Sequence, residues 1–119
     1  MTLITEQHLF LLDVAKLIQE AERLAIVVTG GELYRTADQQ VIYVKTGRSK
    51  TMNSKHLQRL AIDLNFFIKT PSGELALTYD IPTLQPLGNY WEQLSPGKNS
   101  WGGNWKNFKD VPHFERNEK

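Results

Sequence analysis

The sequence contains no cysteine, no long apolar run and no excess of charge of either sign. Without cysteine, disulfides, thiolate zinc sites and cysteine nucleophiles are excluded, so any metal would have to be held by His, Asp or Glu. Fourteen Lys and Arg against thirteen Asp and Glu give a net charge of +1. The pI near 8.0 argues against a dedicated nucleic-acid binder, whose pI usually exceeds about 9.

The amino-terminal region also lacks the pattern of a secretory signal. Charged and polar residues interrupt every apolar run between Met1 and Glu20, and no stretch approaches the roughly 18 apolar residues of a membrane span. We therefore expect no membrane insertion, and a chain that is made in the cytoplasm and not exported by an ordinary signal.

The 119 residues have the length of one domain. A hydrophobic content of 40% with 23% charged residues excludes intrinsic disorder. No internal repeat and no block of like charges divides the chain. We expect a single domain over residues 1–119, with a frayed tail at 116–119.

Apolar spacing predicts helices on both sides of an antiparallel hairpin. A first helix is predicted to begin with Thr5 as its cap, a second to run from Thr36 to Gly47, and a third to begin at Pro82. The predicted strands cover 26–29, 60–68 and 74–79, the last two joined by a turn at Pro71-Ser72-Gly73. Residues 95–104 are predicted to form a loop, and 108–115 a short extended segment. The fold class is α+β, a small antiparallel sheet flanked by helices.

The chain has three histidines, and two of them lie near carboxylates in the sequence. His8 belongs to the first helix and is predicted to be a surface residue. His56 precedes Asp63 by seven residues, and Asp63 falls on the polar face of an otherwise apolar strand, where an unpaired carboxylate is costly. His113 follows Asp110 by three residues on a segment that a proline makes stiff.

These four residues allow two interpretations. His56, Asp63 and His113 would form an open three-ligand zinc site with a fourth position for water, and Asp110 would accept the proton of that water. The alternative is a salt-bridged strand carboxylate with two structural histidines. On spacing alone the alternative is favoured, because a His and an Asp seven residues apart occur often by chance.

Three motifs add a resemblance. Ser54, His56, Ala61 and Asp63 match the pattern Ser-x-His-x-x-Gly-x-Ala-x-Asp in register. The second motif is Asp110-Val111-Pro112-His113, and upstream Tyr34-Arg35-Thr36 is followed by Gln39-Gln40. In this order they resemble the M15-type zinc metallopeptidases of bacterial cell walls, the group of D-alanyl-D-alanine carboxypeptidases and L-alanyl-D-glutamate endopeptidases.

The resemblance extends from about Glu6 to Glu115. The stretch Trp101-Gly102-Gly103-Asn104-Trp105 and the segment 112–115 resemble the single-domain phage endolysins of the group. Both tryptophans are expected to frame the core and the cleft wall. Arg59 stands where the motif has glycine, so a different or more exposed local backbone path is expected there.

The resemblance implies a role for seven residues. The zinc ligands would be His56, Asp63 and His113. Asp110 would be the general base that moves the proton, and Arg35 would stabilise negative charge on the scissile carbonyl oxygen. Ser54 is expected to hydrogen-bond the substrate peptide or to orient His56. Gln40 is predicted to act on the substrate side or as a partner of a site residue, and the alternative is a solvated helix face.

The resemblance also implies a hedgehog- or DD-peptidase-like fold and a peptidase that cuts the L-alanyl-D-glutamate bond of the peptidoglycan stem peptide. Two alternatives remain open: a D-alanyl-D-alanine carboxypeptidase, and a non-catalytic cell-wall-binding protein of the same fold. The expected setting is that of a phage or prophage lysis enzyme. Such an enzyme would wait as a monomer in the host bacterial cytoplasm until a partner such as a holin releases it to the wall.

Overall fold

The computed structural model describes residues 2–49 and 51–118, and within them the chain forms three α-helices and one five-stranded sheet. The helices are α1 (Leu3–Arg23), α2 (Ala37–Lys45) and α3 (Ile81–Leu94). The strands are β1 (Val27–Gly30), β2 (Ala61–Lys69), β3 (Leu75–Thr78), β4 (Asn99–Trp101) and β5 (His113–Arg116). Two short 3-10 helices, Lys55–Gln58 and Gly102–Asn104, precede β2 and follow β4. The predicted α+β class is confirmed.

Strand β2 lies at the centre of the sheet and pairs along both of its edges. One edge pairs with β1. The other edge pairs with β5 over its first residues and with β3 over its last ones, and β4 pairs with the outer side of β5. Each of these pairings is antiparallel. The register places Asp63 of β2 directly opposite His113 of β5, although fifty residues separate them in sequence.

Helices α1 and α3 cover one face of the sheet and enclose the core. Aromatic rings join the layers: Trp91 of α3 meets Phe10 of α1 and Phe114 of β5 edge to face, with ring centroids 5.6 and 5.8 Å apart. Trp101 of β4 stacks on the other side of Phe114 at 6.2 Å. These rings are fully buried, so β5 is fixed between the helices and the central strand. None of the helices in the described part of the chain is long and apolar enough to cross a membrane.

Helix α1 begins three residues earlier than predicted. The cap is Thr2, whose hydroxyl accepts a hydrogen bond from the backbone N–H of Thr5 at 3.2 Å, and Thr5 itself lies in the first turn. Both threonines have suitable flanking residues. Leu3 and Ile4 are exposed in the structure, so they do not belong to the buried apolar face from which the helix was predicted. For α2 the predicted cap is confirmed, because the Thr36 hydroxyl accepts from the N–H of Gln39 at 3.1 Å.

The region from 95 onward is more ordered than predicted. Part of the predicted loop is strand β4, held because the backbone N–H of Trp101 donates to Glu92 Oε2 at 3.0 Å and its ring fills the core. Arg116 closes β5, is 3% exposed and donates to Ser95 Oγ at 3.0 Å, so the prediction of fraying from Arg116 is wrong there. The backbone of Asn117 also bonds to Lys98, while residue 119 lies outside the described residues.

Candidate metal centre

Three side chains from three separate elements converge at one end of the sheet. His56 belongs to the first 3-10 helix, Asp63 to β2 and His113 to β5. Asp63 Oδ1 lies 3.2 Å from His56 Nε2 and 3.5 Å from His113 Nδ1, and one ligand atom from each residue lies within 4.8 Å of the other two. The imidazole centroids are 5.0 Å apart. The sequence-predicted ligand set is therefore brought together.

Hydrogen bonds on the outer side of each ring set the direction of its lone pair. His56 Nδ1 donates to the Leu33 carbonyl at 3.0 Å, which leaves the Nε2 lone pair aimed at Asp63. His113 Nε2 contacts Glu115 Oε1 at 2.8 Å, which leaves Nδ1 for the cluster. His56 Nε2 and Asp63 Oδ1 are both buried without a hydrogen-bond partner. Two buried acceptors that face each other need a cation between them, so the donor set fits a metal ion.

Backbone contacts place the two carboxylates of the site. The N–H of Gly31 donates to the Asp63 carbonyl at 2.8 Å, and a Cβ on Gly31 would lie 2.7 Å from that oxygen. The N–H of Asp110 donates to the Gly102 carbonyl at 3.0 Å, and a Cβ on Gly102 would lie 2.1 Å from the carbonyl oxygen of Asp110. Both approaches require glycine, so the backbone positions of Asp63 and Asp110 are fixed by neighbours without side chains.

In the metal-free protein the charged groups of the cluster shift one another's pKa values. Burial alone would raise the pKa of Asp63, but the imidazoles of His113 and His56 outweigh it and hold that pKa well below its usual range. Burial opposes the charge of His113 as well, yet Asp63 and Glu115 raise the pKa of His113 to about 9. A proton on His113 thus partly takes the place that a metal cation would have.

Asp110 lies beside the cluster without belonging to it. Its Oδ2 is 3.8 Å from His113 Nδ1, and its side chain is 38% exposed towards the cleft. Burial raises the pKa of Asp110, and the negative charge of Asp63 raises it further. The positive charge of His113 offsets only part of these two effects, so the pKa of Asp110 is raised overall. A carboxylate with a raised pKa at the edge of a metal site is suited to accept and return a proton.

Arg35 is 9% exposed and held by a set of polar partners. Its Nε donates to Glu32 Oε1, and its Nη1 donates to Gln40 Oε1 at 2.7 Å and to Ser54 Oγ at 3.3 Å. The guanidinium also stacks on the ring of Tyr43, 4.5 Å from the centroid. Arg35 is therefore a preorganised donor that lines the cleft, as the predicted role requires.

Ser54 lines the cleft, whereas Gln40 is buried behind Arg35. Ser54 caps the first 3-10 helix, accepts from the N–H of His56 at 3.2 Å and lines the cleft, so it links His56 to Arg35. Gln40 is fully buried behind Arg35 and donates to Ser49 Oγ at 2.9 Å. The predicted solvated helix face is wrong for Gln40, and its burial behind Arg35 corrects the prediction that it binds substrate directly.

A cleft of two adjoining cavities, about 310 and 400 Å³, opens over the cluster. Arg35, Arg48 and Asp110 line both cavities. Trp105 forms part of one wall, 5.1 Å from the His113 ring between centroids, while Trp101 is a core residue. His8 is an exposed residue of α1, as predicted.

Several residues of this site were not predicted from the sequence. The spacing contained a signal for Glu115, because residues two apart on a strand share a face and His113 begins β5. Glu32, three residues before Arg35, carried a weaker signal. Tyr43 and Arg48 carried none, because only the folded chain brings Tyr43 of α2 and Arg48 of the turn after α2 to the cleft.

Comparison with known proteins identifies the family. Residues 47–116 match the family model described as D-alanyl-D-alanine carboxypeptidase. The chain belongs to the M15 peptidase family. The matched segment contains the three clustered residues and Asp110, and a His-Asp-His cluster of this kind is consistent with the metal site typical of M15 peptidases.

Two relatives of the chain are named as L-alanyl-D-glutamate peptidases. The chain is 31% identical over 109 residues to the L-alanyl-D-glutamate peptidase of Listeria phage A118, covering 87% of this chain and 35% of that protein. It is 30% identical over 116 residues to the peptidoglycan L-alanyl-D-glutamate endopeptidase CwlK of Bacillus subtilis, covering 87% of this chain and 67% of CwlK. The chain thus spans about a third of the first relative and two thirds of the second.

The fold is shared with a solved structure of an L-Ala D-Glu endopeptidase. The crystal structure of the Serratia marcescens L-Ala D-Glu endopeptidase ChiX superposes with a TM-score of 0.64 at 27% identity, over 87% of this chain and 77% of that one. The α+β architecture predicted from the sequence therefore matches that of the ChiX structure.

Arg59 shows what the glycine of the M15 motif provides. Its backbone is left-handed, with φ +56° and ψ +36°, at the end of the first 3-10 helix. Glycine adopts this conformation without strain, whereas Arg59 adopts it at a cost of about 1–2 kcal/mol. The guanidinium stacks on the Tyr34 ring, 4.2 Å from the centroid, which offsets part of that cost. The turn that leads from His56 into β2 therefore forms with arginine at its left-handed position.

Proposed function

We propose that this protein is a zinc-dependent peptidase that hydrolyses the L-alanyl-D-glutamate bond of the peptidoglycan stem peptide. The observation that carries the proposal is the buried pair of His56 Nε2 and Asp63 Oδ1, which face each other at 3.2 Å without a hydrogen-bond partner. His113 completes a set of two nitrogens and one oxygen, which suits zinc. When bound there, zinc supplies Lewis-acid chemistry and lowers the pKa of water.

The chain supplies the proton transfer and the charge stabilisation. Asp110 accepts a proton from the attacking water and returns it to the leaving amine, and its raised pKa suits the second step. Arg35 donates a hydrogen bond to the carbonyl oxygen as negative charge develops there. Glu32, Gln40 and Tyr43 hold that guanidinium in place before substrate binds, so little reorganisation is needed.

The choice of bond is supported by three relatives whose names specify it. The Listeria phage enzyme, CwlK and ChiX are each described as acting on the L-alanyl-D-glutamate bond. Digestion of purified peptidoglycan followed by mass spectrometry is the test. We expect new amino-terminal D-glutamyl residues, whereas free D-alanine with intact L-alanyl-D-glutamate bonds would reject this choice.

A D-alanyl-D-alanine carboxypeptidase is the second candidate, favoured by the description of the matching family model. The two activities share the metal site and differ in the residue that leaves. The same digestion separates them, because only the carboxypeptidase releases free D-alanine.

A non-catalytic wall-binding protein is tested by variants of the site. His113→Ala is expected to lose zinc, as measured by metal analysis, and Asp110→Asn is expected to keep zinc while losing cleavage. An Asp110→Asn protein that cleaves at the original rate would end the proposed role of that base. Wall binding by the wild type without any cleavage would favour the non-catalytic alternative.

We also propose a lytic setting. A phage or prophage enzyme that stays in the host cytoplasm until a holin releases it to the wall is supported by the likeness to the Listeria phage peptidase. The monomeric state stays a prediction.

A further inference from the structure

The cleft contains one cation, Arg48, that no carboxylate of the described residues pairs with. Arg35 pairs with Glu32, and Lys55 pairs with Glu118 at 3.8 Å. Arg48 lies in the turn after α2 and lines both cavities of the cleft, one with His56 and His113 and the other with Asp63. An unpaired guanidinium beside the reacting centre is suited to bind an anionic group of a ligand.

The guanidinium of Arg48 is held in one orientation by its contacts with Tyr43. It stacks on the Tyr43 ring with Cζ 4.5 Å from the centroid, and the backbone N–H of Arg48 donates to the Tyr43 carbonyl at 2.8 Å. Arg35 stacks on the same ring at the same distance. The two guanidinium carbons are therefore no more than about 9 Å apart, and Tyr43 fixes both.

We propose that Arg48 binds the free α-carboxylate of the residue that leaves as the amine. The inference rests on the proposed function, in which that residue is D-glutamyl. When the stem peptide continues through the γ-carboxyl group of this residue, its α-carboxylate remains free. A carboxyl-terminal D-alanyl residue carries the same group at the same place, so the recognition chemistry is shared by both candidate activities.

The geometry of the peptide matches the spacing of the two arginines. The α-carboxylate carbon is three bonds from the scissile carbonyl carbon, which puts the two groups within about 4 Å of each other. Arg35 would bind the carbonyl oxygen and Arg48 the carboxylate. A hydrogen bond of about 2.8 Å at each end then accounts for the rest of the distance between the two guanidinium carbons. The carboxylate would then set which side of the scissile bond faces Asp110.

The test compares two synthetic peptides that differ only in this group. One contains L-alanyl-γ-D-glutamyl with a free α-carboxylate, and the other contains its α-amide, D-isoglutaminyl. For the wild-type protein with zinc we expect kcat/KM to be about 10- to 100-fold higher for the carboxylate, as for a charge-assisted bidentate contact. Arg48→Gln is expected to bring the ratio close to one, and Arg48→Lys to an intermediate value.

A matched control and a binding measurement separate recognition from general effects. Lys45→Gln removes an exposed cation three residues away that lines neither cavity, and it should keep the wild-type ratio. Titration calorimetry of the zinc-free protein with the amine-side product, which starts at the D-glutamyl residue, should show about 10-fold weaker binding or more for Arg48→Gln.

A wild-type ratio near one, or an undiminished ratio in Arg48→Gln, would overturn the assignment of Arg48 while leaving the peptidase activity intact. A third peptide ending in D-alanyl-D-alanine shows which leaving residue is used. If the wild type cleaves none of the peptides, the proposed function fails. In that case the product-binding arm still decides whether Arg48 recognises the carboxylate.

Discussion

Zinc binding is expected to displace a proton from His113. In the metal-free protein Asp63 and Glu115 raise the pKa of His113 to about 9, whereas a metal ligand must be the neutral imidazole. About one molecule in a hundred has neutral His113 at pH 7. His113 is neutral in about half of the molecules at pH 9, so the apparent zinc affinity should be about 50-fold lower at pH 7 than at pH 9, a free-energy difference of about 2.3 kcal/mol.

Titration calorimetry measures this competition directly. Zinc is added to the apoprotein at about pH 7 and pH 8, in two buffers with different ionisation enthalpies. We expect about one proton released from His113 per zinc bound, and an affinity that rises about tenfold for the pH unit. His8→Ala is the control, because His8 is exposed on α1 and should not change the proton count. A proton count near zero with a flat affinity would refute the reasoning.

The proton on His113 also stabilises the fold of the metal-free protein, and this stabilisation decreases as the pH rises. The folded pKa of His113 lies above its ordinary value of 6.5, so the contribution is fully present below about pH 6.5 and is lost as the pH rises through about 9. The Tm of the apoprotein should fall between pH 7 and pH 9. The zinc-loaded protein should not show this fall, because His113 is neutral there at both pH values.

Four further outcomes are expected. Asp110→Asn should keep zinc and lower kcat by about 100-fold or more, as measured on the carboxylate peptide. Gly102→Ala should displace Asp110 and lower both Tm and kcat while zinc stays bound, whereas Gly30→Ala, with nothing within 4 Å of the added Cβ, should change neither. Arg59→Gly should be more stable to urea than Arg59→Ala by about 1 kcal/mol, because both lose the Tyr34 contact and only alanine keeps the strain. Chelation of zinc should lower Tm at pH 8, with zinc but not magnesium restoring it.

Local chemistry made much of the fold predictable. Thr36 and Gly47 mark the two ends of α2 in the sequence, and in the structure Thr36 caps the helix, which ends at Lys45 shortly before Gly47. The alternation of apolar and polar residues predicted β2 and its hairpin with β3. Strand β4 was not predictable in this way. Asn99 is disfavoured in strands, and a single favourable residue, Trp101, does not mark a strand in the sequence. The segment is extended because β5 pairs with it and Trp101 enters the core.

The candidate site was predictable where residues of known chemistry recur in a motif. His56, Asp63, Asp110 and His113 were found by such a pattern, and the structure brings them together. The position of Arg48 beside Tyr43 was not predictable, because it depends on how the chain turns after α2. The partners of buried charges were not predictable either: Asp13 is 6% exposed and accepts a hydrogen bond from Asn99, which is 86 residues away in sequence.

The two close glycine contacts divide the cleft into parts with different tolerance to change. Gly31 and Gly102 lie in close contact with the backbones of Asp63 and Asp110. These two carboxylates therefore cannot be displaced without a rearrangement of the surrounding main chain. The opposite wall includes Arg48, Ser49, Thr51, Asn53 and Ser54, none of which makes a strand pairing. An engineer who wants another leaving residue recognised should therefore diversify Arg48 and Asn53 on that wall. Ser49, Thr51 and Ser54 should be kept, because they contact Gln40 or Arg35 and so help to hold the catalytic groups in place.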